Sequence, residues 1–191
     1  GVLLASSGAL PPAWLEDAVP AAAVQRALAR STAGMASRCP PQGLPELRER
    51  LALMLRGMGI PVDAGRILTT YGGTHAIDMI CRSFLKPGDA VLVEDPGYFL
   101  MFGRLRQEGI RVLPIARRHD GVDLAGMEAA CREHQPRLAF LQTTLHNPTG
   151  WGSSAANLHK VLVLAQQYGF LIAEDDVQGH FHPGQPTRLA A

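Results

Sequence analysis

The chain has 191 residues, 47% of them hydrophobic and 18% charged, with a formal net charge of +1. That is enough chain for one substantial domain with its own core, and the composition is ordinary for a globular protein. A near-neutral balance gives no electrostatic case for a polyanionic partner of this segment. No apolar run approaches the ~18 residues of a membrane span. Cys39, Cys81 and Cys131 are odd in number and form no C-x-x-C pair, which argues against a disulfide framework or a zinc knuckle. Free thiols of this kind suit a reducing cytoplasm. Val2–Ala5 is apolar but short and has no basic residue before it, so it makes a poor signal peptide. The chain opens at Gly1 rather than Met, which points to an excised segment.

In chain order, residues 1–44 form an Ala-, Pro- and Ser-rich arm, punctuated by Pro11-Pro12 and Pro40-Pro41 with a short helix expected between them. A helix is predicted over Pro45–Met58, where Leu47, Leu51, Met54, Leu55 and Met58 recur at helical spacing and Pro45 suits the first turn. From residue 66 onward strands and helices alternate. The predicted strands are Ile67–Thr70, Ala90–Glu94, Arg111–Ile115, Leu138–Gln142 and Leu171–Asp175. They are short, apolar and not strictly alternating, as strands buried on both faces are. Between them, Ile77, Ile80, Cys81 and Phe84 fall on one helical face, as do Leu158, Val161, Leu162 and Ala165. Ser153 or Ser154 caps the latter helix and Gly169 ends it. The class that follows is α/β: three α/β/α layers around a mostly parallel sheet with right-handed crossovers. In such sheets ligands lie beyond the carboxyl ends of the strands.

Four strand ends carry chemistry. After the first comes Tyr71-Gly72-Gly73-Thr74-His75. Its glycines and helix-start N–H groups can hold an anion, and they equally make a plain turn with Thr74 as N-cap. The second ends in Glu94-Asp95-Pro96-Gly97-Tyr98, either a turn with an aromatic core anchor or a flat platform for a planar ligand. The fourth leads into His146-Asn147-Pro148-Thr149-Gly150, a sharp turn that sets the Asn147 amide at the sheet edge. The fifth ends in Glu174-Asp175-Asp176. Buried carboxylates are costly unpaired, so a cationic partner is expected there; a protonated pyridine nitrogen would serve, and a capping or metal-binding acid pair is the plainer use. His180 and His182 could join those acids around a metal, but nothing beyond the residue types supports it, and no metal is expected.

Taken together, Thr70–Ala76, the run from Lys86 to Tyr98, His146–Gly150 and Glu174–Asp176 resemble the fold-type I pyridoxal-phosphate enzymes of the class I/II aminotransferases, in that family's order and spacing. The likeness reaches back through Pro41–Arg48, so it covers nearly all of this chain and about the first half of a family member. It implies that residues 45–191 are part of a large, cofactor-binding domain. It further implies that Gly73 and Thr74 hold the cofactor phosphate, with Gly72 lining the turn. Tyr98 would stack on the pyridine ring, Asn147 would hydrogen-bond the 3-oxygen, and Asp175 would pair with the ring nitrogen. The phrases Glu94–Phe99, Leu145–Gly150 and Glu174–Val177 look most like the MocR type, in which an aminotransferase-like domain follows a winged-helix module in GntR-class transcription regulators.

Three departures stand out. Gln178 occupies the place of a family Tyr near the 3-oxygen; its amide can donate a hydrogen bond but lacks the phenol's acidity. Arg38 or Cys39 falls near the place of a Tyr that reaches a partner subunit's phosphate, and Arg38 could bind phosphate in its stead. The only lysines are Lys86 and Lys160, and neither has the Ser-rich context of the family's Schiff-base lysine, which is expected after this chain's last residue. No catalytic residue is therefore assigned within the chain. Two functions follow: an effector domain that binds pyridoxal phosphate and an amino compound and governs DNA binding by a module outside this chain, or a stand-alone amino acid:2-oxo acid aminotransferase. Both are expected to be homodimeric and cytoplasmic, with no membrane partner. A nucleotide-binding doubly wound domain fits less well, because the first strand is not followed by G-x-G-x-x-G.

Overall fold

The computed structural model describes residues 12–18, 20–30 and 38–191; Val2–Ala5 and Pro11 lie outside them. The chain divides into two compact units, Gly1–Pro41 and Gln42–Ala191. In the first, α1 (Pro12–Ala18) and α2 (Ala21–Arg30) replace the single short helix expected there, and Arg38 and Cys39 are exposed. At the start of the second unit the Gln42 carbonyl accepts from both the Thr69 N–H (3.0 Å) and the Thr69 hydroxyl (3.4 Å).

The second unit runs α3 (Pro45–Gly57), α4 (Gly73–Phe84), β1 (Ala90–Asp95), α5 (Phe99–Gln107), β2 (Arg111–Arg118), β3 (Gly121–Val122), α6 (Leu124–His134), β4 (Leu138–Leu141), α7 (Ala155–Tyr168) and β5 (Leu171–Glu174), with single 3-10 turns at Ala64–Arg66 and Gly179–Phe181. The sheet order is β3-β2-β1-β4-β5. The pairs β1–β2, β1–β4 and β4–β5 are parallel, and the short β3 turns back antiparallel on β2.

β1 is central, and its neighbouring side chains face opposite ways. Leu92 joins Met127, Cys131, Val161 and Leu164 of α6 and α7. Val91 and Val93 join Cys81, Leu85, Met101 and Leu105 from the α4 and α5 side. A strand packed on both faces has no position for an outward polar residue, which is why β1 reads as an apolar run over Ala90–Val93. The three-layer α/β/α architecture is therefore as expected. α7 is capped by the Ser154 hydroxyl, which accepts from the Asn157 N–H at 3.2 Å, and it stops at Gly169 with φ +72°.

One predicted strand is not part of the sheet. Ile67 is extended, but Ile67–Thr70 has no ladder partner among the described residues; the Ile67 N–H bonds the Ala64 carbonyl and the Thr69 N–H bonds that of Gln42. Strand propensity supplies extended backbone, and only a neighbour with free N–H and C=O groups turns that into a sheet strand.

Candidate cofactor site

Strand order locates the site. The chain leaves β1 for β2 on one side and later crosses to β4 on the other, so the order reverses between β1 and β4. The loops beyond their carboxyl ends diverge there and leave a crevice. A cavity of about 420 Å³ occupies it, lined by residues from α4, the β1–α5 turn, the β4 tip and the segment after β5.

Six of the seven predicted site residues line that one cavity: Gly73, Thr74, Tyr98, Asn147, Asp175 and Gln178. Gly72 stands just behind it as the N-cap of α4, with φ +90°. That backbone conformation suits glycine, because a Cβ would strain it. Thr74 is not the N-cap that the plainer reading of the turn required. α4 begins at Gly73, and no side chain caps it. The first-turn N–H groups of a helix have no intrahelical partner, so an uncapped start facing a cavity offers donors and a positive dipole end to an anion.

The three acids after β5 separate cleanly. The Glu174 carboxylate accepts from the Thr143 hydroxyl (2.5 Å) and from the backbone N–H groups of Leu189 and Ala190 (3.0–3.2 Å). Asp176 pairs with buried Arg188 at 2.7 Å. Asp175 accepts only from the Val177 N–H (3.0 Å), and among the described residues it has no ion-pair partner. A half-buried carboxylate against a cavity with an apolar lining is a place for a cationic ligand atom. His180 and His182 gather no metal cluster: among the described residues no three His, Cys, Asp or Glu side chains come together around a common point.

Sequence reasoning gave no role to a polar cluster in the cavity wall, where Glu94, Gln142 and His146 join Asn147. The Arg117 Nη1 donates to the Glu94 carboxylate at 2.6 Å and to the Ser153 hydroxyl at 3.0 Å. The other Glu94 oxygen accepts from the Gln142 N–H at 2.6 Å, and the Gln142 side-chain oxygen accepts from the Asn147 N–H at 2.7 Å. Buried His146 lies 3.6 Å from Glu94 and contacts the Thr149 hydroxyl at 2.9 Å. Burial pushes the Glu94 carboxyl up, and the Gln142 N–H and Arg117 work against that rise. Burial, aided by the Arg117 charge, lowers His146 to about 4, so its ring is neutral near pH 7. The available signal was an acid closing the apolar run of β1 and an arginine in β2; neither discloses its partner.

The chain belongs to the class I and II aminotransferase family, whose model matches residues 2–191. It is 28% identical over 186 residues to the 2-aminoadipate transaminase of Thermus thermophilus, a match covering 96% of this chain and 45% of that protein. It is likewise 28% identical over 152 residues to the HTH-type transcriptional regulator YdcR of Escherichia coli, covering 79% of this chain and 32% of that protein. The crystal structure of LysN, an α-aminoadipate aminotransferase from Thermus thermophilus complexed with N-(5'-phosphopyridoxyl)-L-leucine, superposes with a TM-score of 0.78 at 26% identity, over 89% of this chain and 42% of that one. The chain thus spans about a third to a half of the length of these relatives. The fold is that of the pyridoxal-phosphate-dependent aminotransferases.

Proposed function

We propose that the cleft binds pyridoxal 5'-phosphate and, with it, an amino acid or similar amino compound. The observation that carries the proposal is Asp175, a carboxylate without a cationic partner among the described residues, in one cavity with the uncapped start of α4 and the Tyr98 ring. The donor set fits the group. The N–H groups of Gly73 and Thr74, with the Thr74 hydroxyl, would bind the phosphate, and Gly72 lets the chain turn close behind it. Tyr98 would cover a face of the ring. The amides of Asn147 and Gln178 would donate to the ring's 3-oxygen. Asp175 would keep the ring nitrogen protonated, since an adjacent carboxylate favours the charged form. Pyridoxal phosphate, when bound, supplies an electron-withdrawing ring that stabilises a carbanion at the α-carbon of the amino compound. The residues of this chain orient that ring and fix its charge.

For the whole protein, the reading favoured is the effector-binding half of a MocR/GntR-type transcription regulator, homodimeric and cytoplasmic, with DNA bound through a module outside this chain. Its support is the likeness to HTH-type regulators of Escherichia coli and Bacillus subtilis. The second reading, a stand-alone amino acid:2-oxo acid aminotransferase, is supported by the equal likeness to the 2-aminoadipate transaminase. Sequence-specific DNA binding by the whole protein, without transamination, decides for the first; turnover without DNA binding decides for the second.

The cofactor proposal is tested by titrating the whole protein with pyridoxal phosphate and following the cofactor's absorbance. Asp175→Ala should weaken binding about tenfold or more, the scale of one lost charge-assisted interaction. Affinity equal to wild type would overturn the assignment.

A further inference from the structure

The geometry points to Glu94 as a positioning residue: its carboxylate, clamped by Arg117, fixes the tip of β4 through Gln142 and thereby sets where Asn147 stands in the cleft. This rests on the reading that Asn147 faces the cofactor.

The path is short and wholly hydrogen-bonded. β4 ends at Leu141, so the Gln142 N–H is the first past the strand end. It is buried, and a buried backbone donor must find a partner. That partner is the Glu94 carboxylate at 2.6 Å, from the end of the neighbouring β1. Gln142, held from behind, turns its own side-chain oxygen onto the Asn147 N–H at 2.7 Å. The far side of the turn is tied to the same anchor. Arg117 donates to the Ser153 hydroxyl at 3.0 Å, and the Ser153 N–H donates to the Thr143 carbonyl at 2.8 Å. Both ends of the His146–Gly150 turn are thus referred to one buried carboxylate.

Stability alone does not explain this arrangement. Removing two charges from water costs several kcal/mol per ion, and an apolar pair of similar volume is often as stable or more so. Arg117 is not well satisfied either, since its Nε and Nη2 are buried without a hydrogen-bond partner among the described residues. What the pair supplies that an apolar pair could not is a fixed acceptor for the Gln142 N–H at the mouth of the crevice.

The test is a double-mutant cycle on pyridoxal phosphate affinity in the whole protein, with urea unfolding measured in parallel. Glu94→Gln and Asn147→Ala should each weaken binding about tenfold. The double variant should bind within about twofold of Asn147→Ala alone, because the two act along one path. Glu94→Asp keeps the charge opposite Arg117 while withdrawing the carboxylate from the Gln142 N–H. It should give the same loss and the same non-additivity, and it replaces Glu94→Gln should that variant fail to fold. A purely structural Glu94 would lower the unfolding midpoint and leave the affinity of the folded protein unchanged; that result, or losses that multiply to about a hundredfold in the double variant, would overturn the inference. If Asp175→Ala loses binding while the cycle is additive, the positioning role alone fails. If Asp175→Ala and Asn147→Ala both bind as wild type, the cofactor reading fails with it.

Discussion

Arg117 and Glu94 meet at 2.6 Å with side chains 1% and 4% exposed, joining β2 to the end of β1 where Glu94 lines the cavity. Arg117→Met should destabilise the protein by about 3–5 kcal/mol, because it leaves a buried carboxylate without its partner. The double variant Arg117→Met/Glu94→Leu should recover part of that loss, since both charges are then gone. Urea unfolding of the two variants and wild type checks the ordering; equal stability of Arg117→Met and wild type would show that the pair is solvated.

His146 gives a pH dependence with a defined sign. It is 2% exposed and held to about 4, below the ordinary imidazole value of 6.5. Between those values the unfolded chain binds a proton that the folded chain refuses. The stability that His146 contributes is therefore complete above pH 6.5 and is lost as pH falls toward 4, by roughly 3 kcal/mol. The raised Glu94 carboxyl acts in the opposite sense, but it is common to wild type and His146→Gln. The difference in unfolding free energy between those two proteins should therefore shrink from pH 7 to pH 4. A constant difference would mean that the imidazole titrates normally.

Gly121→Ala should disturb the β2–β3 turn. The residue sits at φ +143°, and an added Cβ would overlap the Asn157 amide. That amide is the buried bridge from α7 to β3: its oxygen accepts from the Val122 N–H at 3.2 Å, and its nitrogen donates to the Val122 carbonyl at 2.9 Å. A cost of roughly 3 kcal/mol follows from strain and overpacking together. Thermal unfolding measures it, and a change under about 0.5 kcal/mol, the range of neutral surface substitutions, would contradict the geometry.

The three cysteines should differ in reactivity. Cys81 and Cys131 are buried; burial raises both thiols, Cys131 to about 11, while Cys39 is exposed. The thiolate is the reactive form, so iodoacetamide at pH 8 should label Cys39 in the native protein and the other two only after unfolding. Mass spectrometry of labelled peptides reads the pattern directly. Early labelling of Cys131 would mean that the α6–α7 layer opens.

Most of the architecture was legible because its signals are local. Short apolar runs marked β1, β2, β4 and β5 to within a few residues, Ser154 and Gly169 bracketed α7, and the Gly and Pro turns marked the strand ends that converge on the cavity. Each of these is decided by the backbone preferences of a few adjacent residues. The Ile67–Thr70 strand failed for the complementary reason. Its residues favour extended backbone, but pairing depends on a neighbour that the segment does not encode.

What the sequence by itself determined is the chain order of the four parallel strands, the parallel class of the sheet and which turns carry polar groups toward a ligand. What only the tertiary structure decided is who partners whom: that Arg188 goes to Asp176 and not to Asp175, and that Glu94 reaches across 23 residues to Arg117 and 48 to Gln142. Such pairs exist because strand order places β2 and β4 on either side of β1. That order is set by how the whole chain buries its apolar faces, not by any local run of residues.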